Sequence, residues 1–176
     1  MNRLLLFVIY NKQSKLEKRT VYSLEKVRSY YNKVIIISNC NLSKRSNKQL
    51  IKLSDDIIYR ENKGFDFSAW RDGMQYIGHE NLSDYDTVTI MNDTCYFPVF
   101  DFKTIFLEMD NDEAIDFWGA SVHKATKSGM PGTDGPVPEH IQSYFITYKK
   151  KLVKASVFKD FWQKVKDFEN VDLVIQ

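Results

Sequence analysis

Two short polar segments carry the residue types that chemistry needs. Arg60-Glu61-Asn62-Lys63-Gly64-Phe65-Asp66 follows the run Asp56-Ile57-Ile58-Tyr59, and Asn92-Asp93-Thr94 follows the apolar run Thr87–Met91. In an open α/β sheet, ligands bind in the crevice outside the carboxyl ends of the strands. Polar residues ending two successive strands therefore mark a site, with Asn62–Asp66 facing Asn92–Thr94. Between them lies a short helix whose Trp70, Met74 and Ile77 are spaced to face a core. Each segment also has a plainer reading: Asn-Lys-Gly as a turn, Asp66 as a helix N-cap, and Asn-Asp-Thr as a turn.

The elements that must position these residues follow a βα rhythm. Leu4–Tyr10 is a continuous apolar run of strand length, the pattern of a strand covered on both faces. Ser14-Lys15-Leu16-Glu17 reads as a capping box opening a helix that buries Leu16, Leu24, Val27 and Tyr31. Lys33–Ser38 is a second strand, Ser43–Leu53 a short polar helix or turn, and Asp56–Tyr59 a third strand. Alternation of this kind favours a parallel sheet with right-handed crossovers. Further on, Phe97–Phe102 is a loop broken by Pro98, and Ile105, Phe106 and Met109 mark an inward helix face. Ile115–Val122 is expected as a strand, Glu139–Tyr148 as another, and Val157–Phe168 as an amphipathic helix burying Phe158, Phe161, Trp162 and Val165. Residues 128–138 hold three of the seven glycines and three of the four prolines, which makes them a loop and a candidate lid.

Composition narrows the field. A chain of 176 residues with 43% apolar and 27% charged residues suits one globular α/β domain with a proper core. The net charge of +2 is too small to imply nucleic acid, and no basic stripe interleaves with aromatics. Lys149-Lys150-Lys151 with Lys154 reads as a solvated face, with contact to an anionic membrane surface as the alternative. No window approaches a membrane span, and Met1–Tyr10 reads as the first strand, not a signal peptide. Cys40 and Cys95 read as free thiols of a cytosolic protein.

The order of an Asn-x-Gly turn, a helix and a strand ending in short acidic residues resembles nucleotide-sugar glycosyltransferases of the GT-A fold. More closely, four segments resemble the rhamnan synthesis protein F family: Glu61–Trp70, Met91–Thr94, Asp116-Phe117-Trp118-Gly119, and His140-Ile141-Gln142-Ser143-Tyr144-Phe145. They occur in the same order, and the resemblance as a whole runs from about Leu4 to Trp162. The resemblance implies a GT-A-like (Rossmann-like) α/β fold, a mostly parallel sheet flanked by helices. Relatives usually carry more chain, and their acceptor sites are often completed by C-terminal segments.

Chemistry follows from the resemblance. It implies an inverting glycosyltransferase, a rhamnosyltransferase using a dTDP-rhamnose-type donor to extend a cell-surface polysaccharide on a glycan or lipid-linked acceptor. Such a protein is expected in the cytoplasm, peripheral at the inner face of the membrane. The matched motifs put Asn62, Lys63, Gly64, Asp66, Arg71, Asn92, Thr94, Trp118 and Gln142 on the substrate. Gly64 is expected there because a missing Cβ lets backbone and ligand approach. GT-A enzymes commonly hold the diphosphate through Mg²⁺ or Mn²⁺ on an Asp-x-Asp, since hard cations take oxygen ligands. Asn92-Asp93-Thr94 departs from that pattern with one carboxylate, so Asp93 is the expected metal contact and metal dependence is expected to be weak. Arg60, Lys63 or Arg71 would otherwise neutralise the phosphates. For the base, Glu139 and His140 occupy the place of the late carboxylate in GT-A enzymes, and either would accept the acceptor's proton.

Two other classes compete. One is a non-catalytic GT-A-like module that binds nucleotide sugar or glycan within a larger assembly, and donor hydrolysis by the isolated chain separates it from the enzyme. The other is a generic dinucleotide-binding enzyme, but Asn11-Lys12-Gln13-Ser14 stands where its G-x-G-x-x-G would follow the first strand.

Overall fold

A computed structural model of the chain describes residues 1–127 and 135–167. Four adjacent parallel strands form one side of a six-stranded sheet: β1 (Arg3–Ile9), β2 (Lys33–Ser38), β3 (Asp56–Tyr59) and β4 (Thr87–Asn92). Two late strands, β5 (Phe117–Gly119) and β8 (Phe145–Lys149), complete it in the order β3-β2-β1-β4-β8-β5. β8 runs antiparallel to both β4 and β5. A separate two-stranded ribbon joins β6 (Val122–His123) to β7 (His140–Ile141).

The near-continuous apolar runs are explained by burial on both faces. On one face Leu4, Leu6, Val8, Ile35 and Ile37 pack against Trp70 and Met74 of α3 (Phe65–Ile77). Val153 of α5 (Lys150–Val153) and Phe158 and Trp162 of α6 (Ser156–Lys164) close that side. On the other face Leu5, Phe7, Val34 and Ile36 meet α1 (Lys18–Val27), α2 (Lys44–Leu50) and α4 (Lys103–Asn111) through Leu24, Leu50 and Phe106. At about 25 cal/mol per Å² of apolar surface removed from water, this double-sided burial dominates the fold's stability. No helix among the described residues is long and apolar enough to cross a membrane.

Several boundaries differ from the sequence expectation, each for a local reason. Ser14 does not open α1: it has φ 57, and Glu17 precedes Lys18 as N-cap with no side-chain cap bond. The Glu17 carboxylate instead accepts from the Asn11 side-chain amide at 2.8 Å, so no capping box forms. The Ile115–Val122 and Glu139–Tyr148 strands are each broken. A Cβ at Gly119 would come 2.2 Å from the Ile141 side chain, so β6 and β7 fold away over that glycine. Phe161, expected in the core, is 52% exposed and meets Trp162 edge-on. The candidate lid falls largely on residues 128–134, outside the described residues, as does Phe168.

Candidate active site

The sheet order sets the crevice. From β1 the chain builds outward through β2 to β3, then returns to place β4 on β1's other side. The ends of β1 and β4 are thus a topological switch point, where open α/β sheets bind ligands. The register pairs Val8 with Asn92, so Tyr10-Asn11 and Asp93-Thr94 leave the sheet side by side.

A cleft of about 770 Å³ opens there, bordered by Tyr10, Asn11, the turn into α1 and Tyr96. Lys12, Lys15, Lys18 and Arg19 contribute four cations to its wall. Arg19 is paired with Glu17 at 3.0 Å, while no carboxylate among the described residues pairs with Lys12, Lys15 or Lys18. The first turn of α1 borders the same space, adding backbone N–H groups that favour an anion. Sequence reasoning missed this wall. Its signal was available in four cations packed into eight residues directly after the first strand.

Asp93 lies beside the cleft, 8% exposed. Thr20, next to Arg19 on α1, donates its hydroxyl to Asp93 Oδ2 at 3.1 Å. Burial raises the carboxyl's pKa to about 6; the Thr20 hydroxyl, Arg19 and the Tyr10 backbone N–H only partly oppose it, and Asp66 adds to the rise. Asp66 is raised as well, by burial first, with its hydrogen bond from Asn92 opposing. The Asn92 amide donates to Asp66 Oδ2 at 2.7 Å, and its Oδ1 accepts from the Thr94 hydroxyl at 2.7 Å. Asn92 thus joins the start of α3 to the end of β4. The site holds two neighbouring carboxylates, Asp93 and Asp66, where the linear motif showed one.

Helix α3 makes that meeting possible. Its N-cap is Gly64, at φ 65, rather than Asp66, which sits in the first turn. A Cβ at Gly64 would come 1.9 Å from Ser68 Oγ, so packing alone demands glycine here. Trp70, fully buried, donates its indole N–H to the Met91 carbonyl at 3.2 Å, fixing α3 on the end of β4 just before the site. Trp70→Phe is expected to cost about 2 kcal/mol, because it removes a buried hydrogen bond and leaves a void. Urea denaturation of the variant measures it.

The remaining candidates are scattered more widely. Arg71, expected on the substrate, instead bonds Asp72, the Val165 carbonyl and Asp167 at 2.7–2.9 Å. Arg60 is likewise spent on Asp72, Asn39 and the Lys63 carbonyl at 2.7–2.8 Å. These guanidiniums brace the loop before α3 and are poorly placed to meet a phosphate. Lys63 pairs with Glu61 at the exposed tip of that loop, where Asn62 is half-buried. Trp118 is 6% exposed and packs among Phe102, Phe106 and Phe145, so it serves the core. Gln142 accepts from the Ser121 hydroxyl at 2.6 Å, tying the ribbon's root to the end of β5.

Glu139 and His140 are exposed on the ribbon. The ribbon belongs to the crevice end of the sheet: Tyr144, between β7 and β8, accepts the Asn92 N–H at 3.2 Å. His140 lies stacked on His123 at 5.2 Å, so His123 is part of the ribbon and not an isolated surface residue.

A mostly parallel sheet with one late antiparallel strand, and a cationic cleft at the β1/β4 switch point, define a GT-A-like α/β domain. The same fold occurs in 4-diphosphocytidyl-2C-methyl-D-erythritol synthase from Anaerococcus prevotii, with a TM-score of 0.55 at 10% identity, covering 99% of this chain and 81% of that one. It occurs too in the mannosyltransferase Ktr4p from S. cerevisiae in complex with GDP, with a TM-score of 0.50 at 7% identity, covering 92% of this chain and 60% of that one. At such identities the likeness concerns the fold alone. The rhamnan synthesis protein F family matches over residues 34–176, and the chain belongs to that family. Uncharacterized protein y4gN of Sinorhizobium fredii is 26% identical over 171 residues, which are 97% of this chain. The chain spans 42% of that relative's length.

Proposed function

We propose that the chain is a glycosyltransferase that takes a sugar, rhamnose by family, from a nucleoside-diphosphate donor and adds it to a growing polysaccharide. The observation that carries this reading is the cationic cleft at the β1/β4 switch point with Asp93 beside it. Lys12, Lys15 and Lys18 answer the charge of a diphosphate, and Tyr10 and Tyr96 offer rings for a base or sugar. A dTDP-rhamnose-type donor and a glycan or lipid-linked acceptor fit the family.

A divalent cation suits the carboxylates present. Among the described residues no group of three metal-binding side chains exists. Mg²⁺ and its analogues, however, bind through one or two carboxylates, substrate phosphates and water. Asp93, with Asp66 as its neighbour, fits that mode. The cation would supply positive charge to the departing diphosphate. The chain's own part is inverting displacement: the acceptor oxygen attacks the anomeric carbon and the diphosphate leaves with the bonding pair. The acceptor proton passes to His140 or Glu139.

Thermal-shift titration with nucleoside diphosphates and their sugars, with and without Mn²⁺, tests the reading. Lys15→Glu and Lys18→Glu are each expected to weaken diphosphate binding about tenfold, or ~1.4 kcal/mol. Chelation is expected to reduce transfer in part. No shift with any nucleotide overturns the site; binding without donor hydrolysis or transfer leaves a binding module.

A further inference from the structure

We propose that the Tyr96–Phe100 loop is a docking wedge that seats the α1 flank of the domain on an anionic bilayer. Three large apolar side chains in this short segment face water: Tyr96 is 57%, Val99 68% and Phe100 83% exposed. A single exposed apolar residue needs no explanation, but a cluster on one loop does.

The display is braced from beneath. Phe97, 7% exposed, packs at 4.7 Å against both Phe102 and Phe145, and its N–H donates to Ser23 Oγ at 3.2 Å. The Tyr22 hydroxyl donates to the Pro98 carbonyl at 3.0 Å. Val99 and Phe100 therefore project from an anchored base, and burying them in a partner costs little new ordering.

Charge selects the partner. Lys26 stands over the Tyr22 ring at 5.8 Å and shares a hollow with Val99 and Phe100; Lys103 opens α4 just beyond. Tyr96 links this patch to the cationic cleft wall. The acidic residue in the loop, Asp101, is held by the Tyr30 hydroxyl and the Lys103 N–H. Apolar side chains fringed by cations are the combination that binds anionic lipid headgroups over a hydrocarbon edge.

The basic run first considered for such contact does not compete. Lys149 Nζ donates to the Asp110 and Asp112 carbonyls, Lys151 pairs with Asp116 at 3.0 Å and Lys150 with Asp86 at 4.0 Å. It also sits away from the cleft, at the start of β4, where Lys149 pairs with Thr87. Docking through the Tyr96–Phe100 loop instead lays the α1 flank on the bilayer and, through Tyr96, brings the cleft mouth to its edge. A lipid-linked acceptor would meet it there; that last clause alone rests on the transferase reading.

Flotation of the full chain with phosphatidylcholine vesicles, with and without phosphatidylglycerol, tests the wedge. The protein is expected to float with the anionic vesicles and to be released by salt. Val99→Ser/Phe100→Ser is expected to lower partitioning about tenfold or more, and Lys26→Glu/Lys103→Glu similarly. Lys150→Gln/Lys151→Gln is expected to change nothing. All positions are on the surface, so melting temperature and nucleotide binding should hold in each variant, which separates failure of the wedge from failure of the donor site. Absence of flotation, or flotation of Val99→Ser/Phe100→Ser equal to wild type, overturns the proposal. So does a wild-type dimer that the same variant dissociates, since the patch would then belong to a second copy.

Discussion

Asp93→Asn is expected to abolish sugar transfer while making the folded chain more stable at neutral pH. The carboxyl's pKa rises from 3.8 to about 6 on folding, chiefly because burial penalises its charge. The sign follows from linkage: the folded state binds this proton more tightly than the unfolded one. Its stabilising effect is complete below pH about 4 and is lost as pH rises through about 6. Above that pH the wild type carries a buried charge worth of order 3 kcal/mol of instability, at 1.36 kcal/mol per pKa unit. Asparagine keeps the shape and still accepts from Thr20 without the charge. Urea denaturation of both proteins at pH 5 and pH 8 should show the variant's advantage growing with pH. Nucleotide binding should move the other way: with Mn²⁺ present, wild-type affinity rises between pH 5 and 7 and the variant's stays flat and weak. Parallel stability curves for the two proteins would show that Asp93 does not bear a costly charge; wild-type donor affinity in the variant would remove it from the site.

Why such a costly carboxylate was only half legible in the sequence is a matter of dimension. β1 and β2 could be read because strands buried on both faces need uninterrupted apolar residues, and Leu4–Ile9 and Val34–Ile37 supply them. The placement of Asp93 followed from the strand-end rule. The same rule sets Asn62–Asp66 opposite Asn92–Thr94; what it does not give is Asp66 as a second carboxylate beside Asp93, because the Asn-Asp-Thr motif counts only adjacent residues. It takes α3 crossing the sheet, pinned by Trp70 on Met91, to bring the two carboxylates together through Asn92. Arg60 and Arg71 misled for the complementary reason. A cation's sequence position beside a site says nothing of its partners, and Asp72 and Asp167 had claimed both. The failed capping box at Ser14 has the same root: Asn11 captured Glu17 first.

Removing the acceptor's base should produce the other large effect. His140→Ala is expected to cut transfer about 10²–10⁴-fold, the usual contribution of a positioned proton acceptor, with donor affinity nearly unchanged. The structure supplies a reason to favour it over Glu139. His140 Nδ1 lies 2.9 Å from the Pro138 carbonyl, which can only accept, so Nδ1 carries the proton and the Nε2 lone pair stays available. His123 is arranged alike, its Nδ1 2.8 Å from the Lys124 carbonyl, and the two rings stack within 16° of parallel. The stack and the carbonyl hold the His140 ring in one orientation, as a base requires. Three variants, His140→Ala, Glu139→Ala and His123→Ala, should be compared for transfer rate, donor binding and melting temperature. The base reading expects the first to lose rate alone, the second to stay near wild type, and the third to lose less than the first. A fall in melting temperature with rate following it would make His140 a structural residue of the ribbon. If His140→Ala and Glu139→Ala both turn over normally, the base lies elsewhere, and Asp134, outside the described residues, is the next carboxylate to replace.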